Sequence, residues 1–149
     1  ISTCLVETDE EILIPDEYVQ SINERLNLYT ELNKLNTETE LNAFGRQLVD
    51  RFGPIPKPVF DLLDTIRLQW LGKEIGFEKL TLKKQLLKGY FTSNPASLYF
   101  ESDAFRKVLN YVQANPRGCN MREKGSTLTL SFAEVKDITQ AIGLLKGLL

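Results

Sequence analysis

Ten residues, Gln47-Leu48-Val49-Asp50-Arg51-Phe52-Gly53-Pro54-Ile55-Pro56, restrict this chain more than any other stretch. They describe a helix that must end and a second that must begin. Gly53 can take the left-handed conformation that closes a helix, Pro54 cannot continue one, and Pro56 or Pro58 suits a first turn. Upstream, Leu41, Phe44, Leu48 and Phe52 recur at spacings of 3, 4 and 4, which places all four on one helical face. Gln47, Asp50 and Arg51 then fall on the flank and the far side. Phe52, Gly53, Pro54 and Pro56 read as a structural elbow. The three polar residues read as groups presented by a rigid helix end, which suits docking of a partner better than chemistry.

Composition removes whole classes of chemistry. There is no histidine, so the commonest general base and metal ligand is missing, and Ser-His-Asp and Cys-His mechanisms are excluded. None of the nine glycines forms a GxxxxGK[ST] phosphate loop or a GxGxxG turn; the nearest phrase, Gly72-Lys73-Glu74, ends in the wrong residue. Cys4 and Cys119 are too few and too scattered for a disulfide framework or a zinc site. No catalytic residue, cofactor or metal ligand is therefore singled out. The formal net charge of −2 does not favour a nucleic-acid or anionic-membrane surface in bulk. No apolar run reaches membrane-spanning length, and the expectation is a monomeric, globular protein in a reducing, cytoplasmic setting. The chain opens on Ile1 rather than methionine, as a piece cut from a longer protein would. At 149 residues it suits one domain over 14–149 behind a lead-in segment over 1–13.

Taken in order, Cys4-Leu5-Val6 and Ile12-Leu13-Ile14 flank an acidic turn and read as a weak hairpin or a lead-in. Asp16 is a candidate N-cap for a first helix to about Leu35, with Tyr18, Val19, Ile22, Leu26 and Tyr29 on one face and Asn36 as its end. Thr37 with Glu40 is a capping box that opens the second helix. After the elbow, Val59, Leu62, Leu63, Ile66 and Trp70 align on a third helix, which stops at Gly76. Beyond it the period changes. Strands are expected over 79–84, 86–92 and 97–100, then a helix capped by Ser102 with Phe105, Val108, Leu109 and Val112 inward. A hairpin follows, with strands at 119–123 and 127–132 flanking Lys124-Gly125-Ser126. A last helix, from about Glu134, turns Val135, Ile138, Ile142 and Leu145 inward. The expected fold class is α+β: an N-terminal three-helix region followed by a mostly antiparallel sheet interleaved with two further helices.

Three features each admit two readings. Lys79, Lys83, Lys84 and Lys88, interleaved with Phe77, Tyr90 and Phe91, form either a nucleic-acid strip of cations and stacking aromatics or core aromatics with lysines guarding a sheet edge. The acidic Glu7, Asp9, Glu10 and Glu11 form either a cation site or a solvated turn. Asp50 and Arg51 are either a surface pair worth ~0–1 kcal/mol or recognition groups.

The elbow phrase, together with Ile14-Pro15-Asp16-Glu17-Tyr18-Val19, Arg25-Leu26-Asn27-Leu28-Tyr29 and Gly76-Phe77-Glu78-Lys79-Leu80, resembles the C-terminal domain of the bacterial transcription-repair coupling factor. The resemblance is good from about Ile14 to Leu80 and thin beyond. It implies a non-catalytic regulatory part of a large ATP-dependent DNA translocase that binds RNA polymerase, DNA, ATP and UvrA. In that family the domain folds onto a UvrB-like module and masks the UvrA-binding surface. The docking residues it implies are Gln47, Asp50 and Arg51. The family pattern has an acidic residue where this chain has Gln47, which removes one charge from any ionic docking.

Overall fold

The computed structural model describes residues 3–9 and 11–149. Among them are five α-helices and one five-stranded mixed sheet, an α+β fold. They fall into two compact units, residues 11–67 and residues 3–9 with 68–149.

The first unit holds α1 (Ile22–Leu32), α2 (Glu38–Phe52) and the first half of α3 (Lys57–Ile75). The capping box forms as expected: the Glu40 amide donates to the Thr37 hydroxyl at 3.1 Å, and the Thr37 amide donates to the Glu40 carboxylate at 3.1 Å. Both otherwise orphaned amides are satisfied. Leu41, Phe44 and Leu48 are buried, as their spacing requires, and Phe52 is half-buried.

The first helix departs from the expected bounds. Residues 16–18 form a turn, closed by the Tyr18 and Val19 amides donating to the Pro15 carbonyl. The N-cap is Ser21 rather than Asp16, and the C-cap is Asn33 rather than Asn36. Ile22 and Leu26 are exposed, and Leu28 and Leu32 are buried instead. Tyr18 and Val19 lie in the turn, outside the helical period, so the buried side of α1 is rotated away from the stripe they would extend.

Gly53 closes α2 by donating its amide to the Val49 carbonyl at 2.9 Å. Its φ is 91° and its ψ −168°. This is the mirror-extended region open almost only to glycine, not the left-handed helical conformation expected. Extended geometry sends the chain straight out of the helix toward Pro54. Helix α3 then carries two stripes. Val59, Leu63 and Ile66 are buried within the first unit, and Leu68 and Ile75 within the second. Leu68, two residues after Ile66, falls off the face that Val59, Leu63 and Ile66 share. A single-face reading therefore missed Leu68, and Leu62 and Trp70 are only half-buried.

The second unit is built on the sheet, in the order β1-β2-β3-β5-β4. Its strands are β1 (Leu5–Thr8), β2 (Lys79–Lys83), β3 (Leu86–Tyr90), β4 (Asn120–Lys124) and β5 (Thr127–Phe132). Three neighbour pairs are antiparallel, and β1 runs parallel to β2 with Leu5 opposite Lys79. The expected hairpin between Cys4–Val6 and Ile12–Ile14 does not form. Ile14 is not in a strand but buried in the other unit. The Ser97–Phe100 strand is also corrected: Leu98–Glu101 is a 3-10 turn capped by the Ser97 hydroxyl. Helices α4 (Asp103–Ala114) and α5 (Ile138–Lys146) complete the unit. The last helix starts from an Asp137 cap, because Glu134 at φ 61° has left-handed backbone that a helix cannot use.

One face of the sheet is apolar. Leu80, Leu82, Leu87, Leu130 and Phe132 are buried on it, and the helices pack there. Phe91 meets Phe105 of α4 edge-on at 5.7 Å, and Tyr111 meets Phe132 at 6.2 Å. Gly89 sits mid-strand because the Phe77 ring lies across it; a Cβ there would come within 2.3 Å of that ring.

The elbow generates one test. Among the described residues, no atom beyond the two adjacent residues lies within 4 Å of where a Cβ on Gly53 would stand, so substitution costs backbone conformation. Gly53→Ala is expected to lower unfolding free energy by about 1–3 kcal/mol in a denaturant melt, and Gly53→Val by at least as much. An unchanged midpoint for both would show that the elbow does not need this conformation.

Candidate functional site

The last turn of α2 presents the three polar residues expected there, and all of Gln47, Asp50 and Arg51 are exposed. The elbow beneath them is held from the side. The Tyr18 hydroxyl donates toward the Gly53 carbonyl at 2.8 Å and the Leu48 carbonyl at 3.2 Å, and its ring lies 5.7 Å from that of Phe52. Arg25 donates through Nη1 to the Val19 carbonyl and, at 3.2 Å, to that of Gln20, tying the 15–20 segment to α1. Periodicity alone marks Tyr18 only as an apolar helix position. Its hydroxyl was the available signal, because a buried phenol finds a partner.

Asp50 and Arg51 are not a pair. Arg51 Nη2 lies 3.1 Å from Glu24 Oε1, with both side chains about half exposed, and its guanidinium sits 4.7 Å over the Phe52 ring. The Asp50 side chain makes no hydrogen bond or ion pair among the described residues, and neither does that of Arg46 one turn earlier. A carboxylate in the last turn of a helix faces the negative end of the macrodipole, which disfavours it by about 0.3–1 kcal/mol. Asp50 is thus held against local preference.

Adjacent residues of this turn line two separate depressions. Asp50 belongs to a groove of about 460 Å³ between α2 and α3, floored by Gly45, Ile55 and Leu63 and rimmed by Arg46 and Arg67. Val49 and Phe60, 45% and 54% exposed, add apolar surface to it. Arg67 is fixed in place: its guanidinium binds Glu38 in a fork at 2.9 and 2.7 Å and Asp64 at 2.7 Å. The bonds to Glu38 first, and those to Asp64, raise its pKa further. Arg51 lines a second hollow of about 520 Å³ with Glu17, Tyr18 and Glu24. Gln47 lines neither.

Other groups that carry chemistry elsewhere are occupied. Burial pushes the Cys4 thiol up to about 12, leaving no thiolate at neutral pH. The acidic run is divided among structural tasks: Glu7 lies 3.4 Å from Lys83, and Asp9 accepts from the Lys84 amide at 2.8 Å. Glu10 lies outside the described residues. Among the described residues no group of three or more His, Cys, Asp or Glu could hold a metal ion. No described helix is long and apolar enough to cross a membrane.

The family model of the TRCF domain matches residues 8–101. The chain belongs to this family. It is 38% identical over 68 residues to the transcription-repair-coupling factor of Escherichia coli (strain K12), covering 46% of this chain and 6% of that one. With the corresponding factor of Staphylococcus epidermidis (strain RP62A) the identity is 33% over 126 residues, covering 85% of this chain and 11% of the relative. The chain thus spans a small fraction of the length of the curated relatives it matches. The fold matches a crystal structure of the C-terminal domain of transcription-repair coupling factor at a TM-score of 0.77, over 99% of this chain and 94% of that one, with 15% identity. Residues beyond Leu80 share that fold.

For this member of the TRCF family, Asp50→Lys removes a dipole penalty and breaks no contact. Its unfolding free energy should stay within about 0.5 kcal/mol of the parent chain or rise slightly. A loss of several kcal/mol in a denaturant titration would make Asp50 structural.

Proposed function

We propose that this chain is a regulatory docking domain of a transcription-repair coupling factor, with no catalysis of its own. It folds onto the UvrB-like module of the parent protein and masks the UvrA-binding surface. The observation that carries this reading is Asp50: an exposed carboxylate, unpaired among the described residues, at the wrong end of a helix, beside a groove bearing exposed Val49 and Phe60. A charge disfavoured in its own domain is stabilised where a basic partner meets it across a partly desolvated interface. Loss of one partner there costs ~2–5 kcal/mol. Apolar Val49 and Phe60 supply the burial, and the Tyr18 clamp keeps the helix end rigid, so little entropy is lost on docking. Arg51, already engaged by Glu24, contributes less, and Gln47 contributes no charge.

The direct test titrates this chain in trans against the UvrB-like module of its own parent, by calorimetry. Saturable binding is expected, with Asp50→Lys weakening it at least about 30-fold, the lower end of a 2–5 kcal/mol loss. No binding would remove the docking reading.

In the full-length parent, the same substitution shifts a two-state clamp toward its open form. Resting ATPase and UvrA binding are then expected to rise together. A rise in one without the other would mean that a single clamp does not control both.

A further inference from the structure

The strand register assembles a surface that no single strand shows. Lys79, Thr81 and Lys83 of β2 align across the sheet with Tyr90, Lys88 and Leu86 of β3. Lys88 and Tyr90 align in turn with Ser131 and Thr129 of β5, and these with Asn120 and Arg122 of β4, where Lys124 continues the row. All of these side chains lie on the face opposite the buried leucines, and all are exposed or half-exposed. Phe77 and Phe91, by contrast, are buried, and Lys84 lies in the β2–β3 turn. The lysines also do not guard an edge, since β2 and β3 are interior strands and β1 and β4 are the edges.

Five cations therefore share one flat face, Lys79, Lys83, Lys88, Arg122 and Lys124, across four strands or roughly 14 Å. Among the described residues the opposing charge there is Glu7 on β1, 3.7 Å from Lys79 and 3.4 Å from Lys83. Lys88, Arg122 and Lys124 have no carboxylate partner among the described residues. In a chain of net charge −2, this is a local reversal of sign. Near its middle stands the half-exposed Tyr90 ring, with the Lys79 and Lys88 ammonium groups 5.2 and 5.1 Å from its centre.

We propose that this sheet face binds single-stranded nucleic acid. The cations follow the phosphates, Tyr90 stacks a base, and the short Thr129 and Ser131 side chains keep the platform flat enough for a planar ring to approach. A duplex fits poorly, because its major groove admits a helix or a two-stranded ribbon rather than the face of a broad sheet. An acidic peptide adding as a strand would use an edge, and the cations are concentrated on the face. This surface lies outside the Asp50 groove, and the proposal does not depend on the docking reading.

The test is fluorescence anisotropy of a labelled oligothymidylate with this chain, from about 50 to 200 mM salt. A Kd on the order of 10–100 μM is expected at the lower salt, weakening about tenfold or more at the higher. Lys88→Glu and Arg122→Glu should each weaken binding and reduce the log–log salt slope by about 0.7, the share of one phosphate contact. Tyr90→Ala should weaken it about fivefold or more with the slope unchanged. Lys107→Glu, on α4 at the opposite face, should change neither. Thermal melts confirm that each variant is folded, and Lys88→Gln replaces Lys88→Glu if the latter is not. Absence of salt-sensitive binding overturns the proposal. So does equal weakening by Lys107→Glu, or displacement of the oligonucleotide by polyglutamate at matched charge, which would assign the face to acidic protein.

Discussion

The helical unit depends on one phenol. At the end of α2 the backbone occupies a glycine-only conformation at Gly53, and the carbonyl there needs a donor. The Tyr18 hydroxyl reaches the Gly53 and Leu48 carbonyls, and its ring covers Phe52. Tyr18 is itself positioned by a short turn on the Pro15 carbonyl. Two sequence phrases more than thirty residues apart, around Tyr18 and around Gly53, are therefore the two halves of one contact. Their joint presence is more informative than either alone because the hydroxyl of one phrase satisfies the carbonyl of the other.

Once the elbow is rigid, the polar residues on it can be told apart by what they touch. Arg51 is satisfied within the chain by Glu24 and the Phe52 ring, and Arg67 is held by two carboxylates. Asp50 is left with solvent and an unfavourable helix dipole. In a folded domain, charges with good local partners stabilise that domain, whereas a charge without one contributes only when something else arrives. The same reasoning separates the cations of the sheet: Lys79 and Lys83 are partly neutralised by Glu7, and Lys88 and Arg122 are not. Net charge conceals both cases, because it sums over the whole chain.

Local signals in the chain determined a good deal. The capping box at Thr37 and Glu40, the elbow glycine, the Ser102 cap and the Gly125-Ser126 hairpin all act within a few residues, so their physics is complete in the sequence. The family resemblance, carried by contiguous phrases, belongs to the same level, and so does the exposure of Gln47, Asp50 and Arg51, which follows from the period of one well-bounded helix. What only the tertiary structure decided involves partners distant along the chain. The parallel pairing of β1 with β2 joins residues more than seventy positions apart, and no pattern in Leu5–Thr8 names that partner. The burial of Leu68, off the stripe of Val59, Leu63 and Ile66, also depends on residues distant along the chain. The basic sheet face exists because register brings β4 and β5 beside β3. Each is a long-range choice made by burial of apolar surface, which is non-directional and leaves in the local sequence no mark of which partner will supply it.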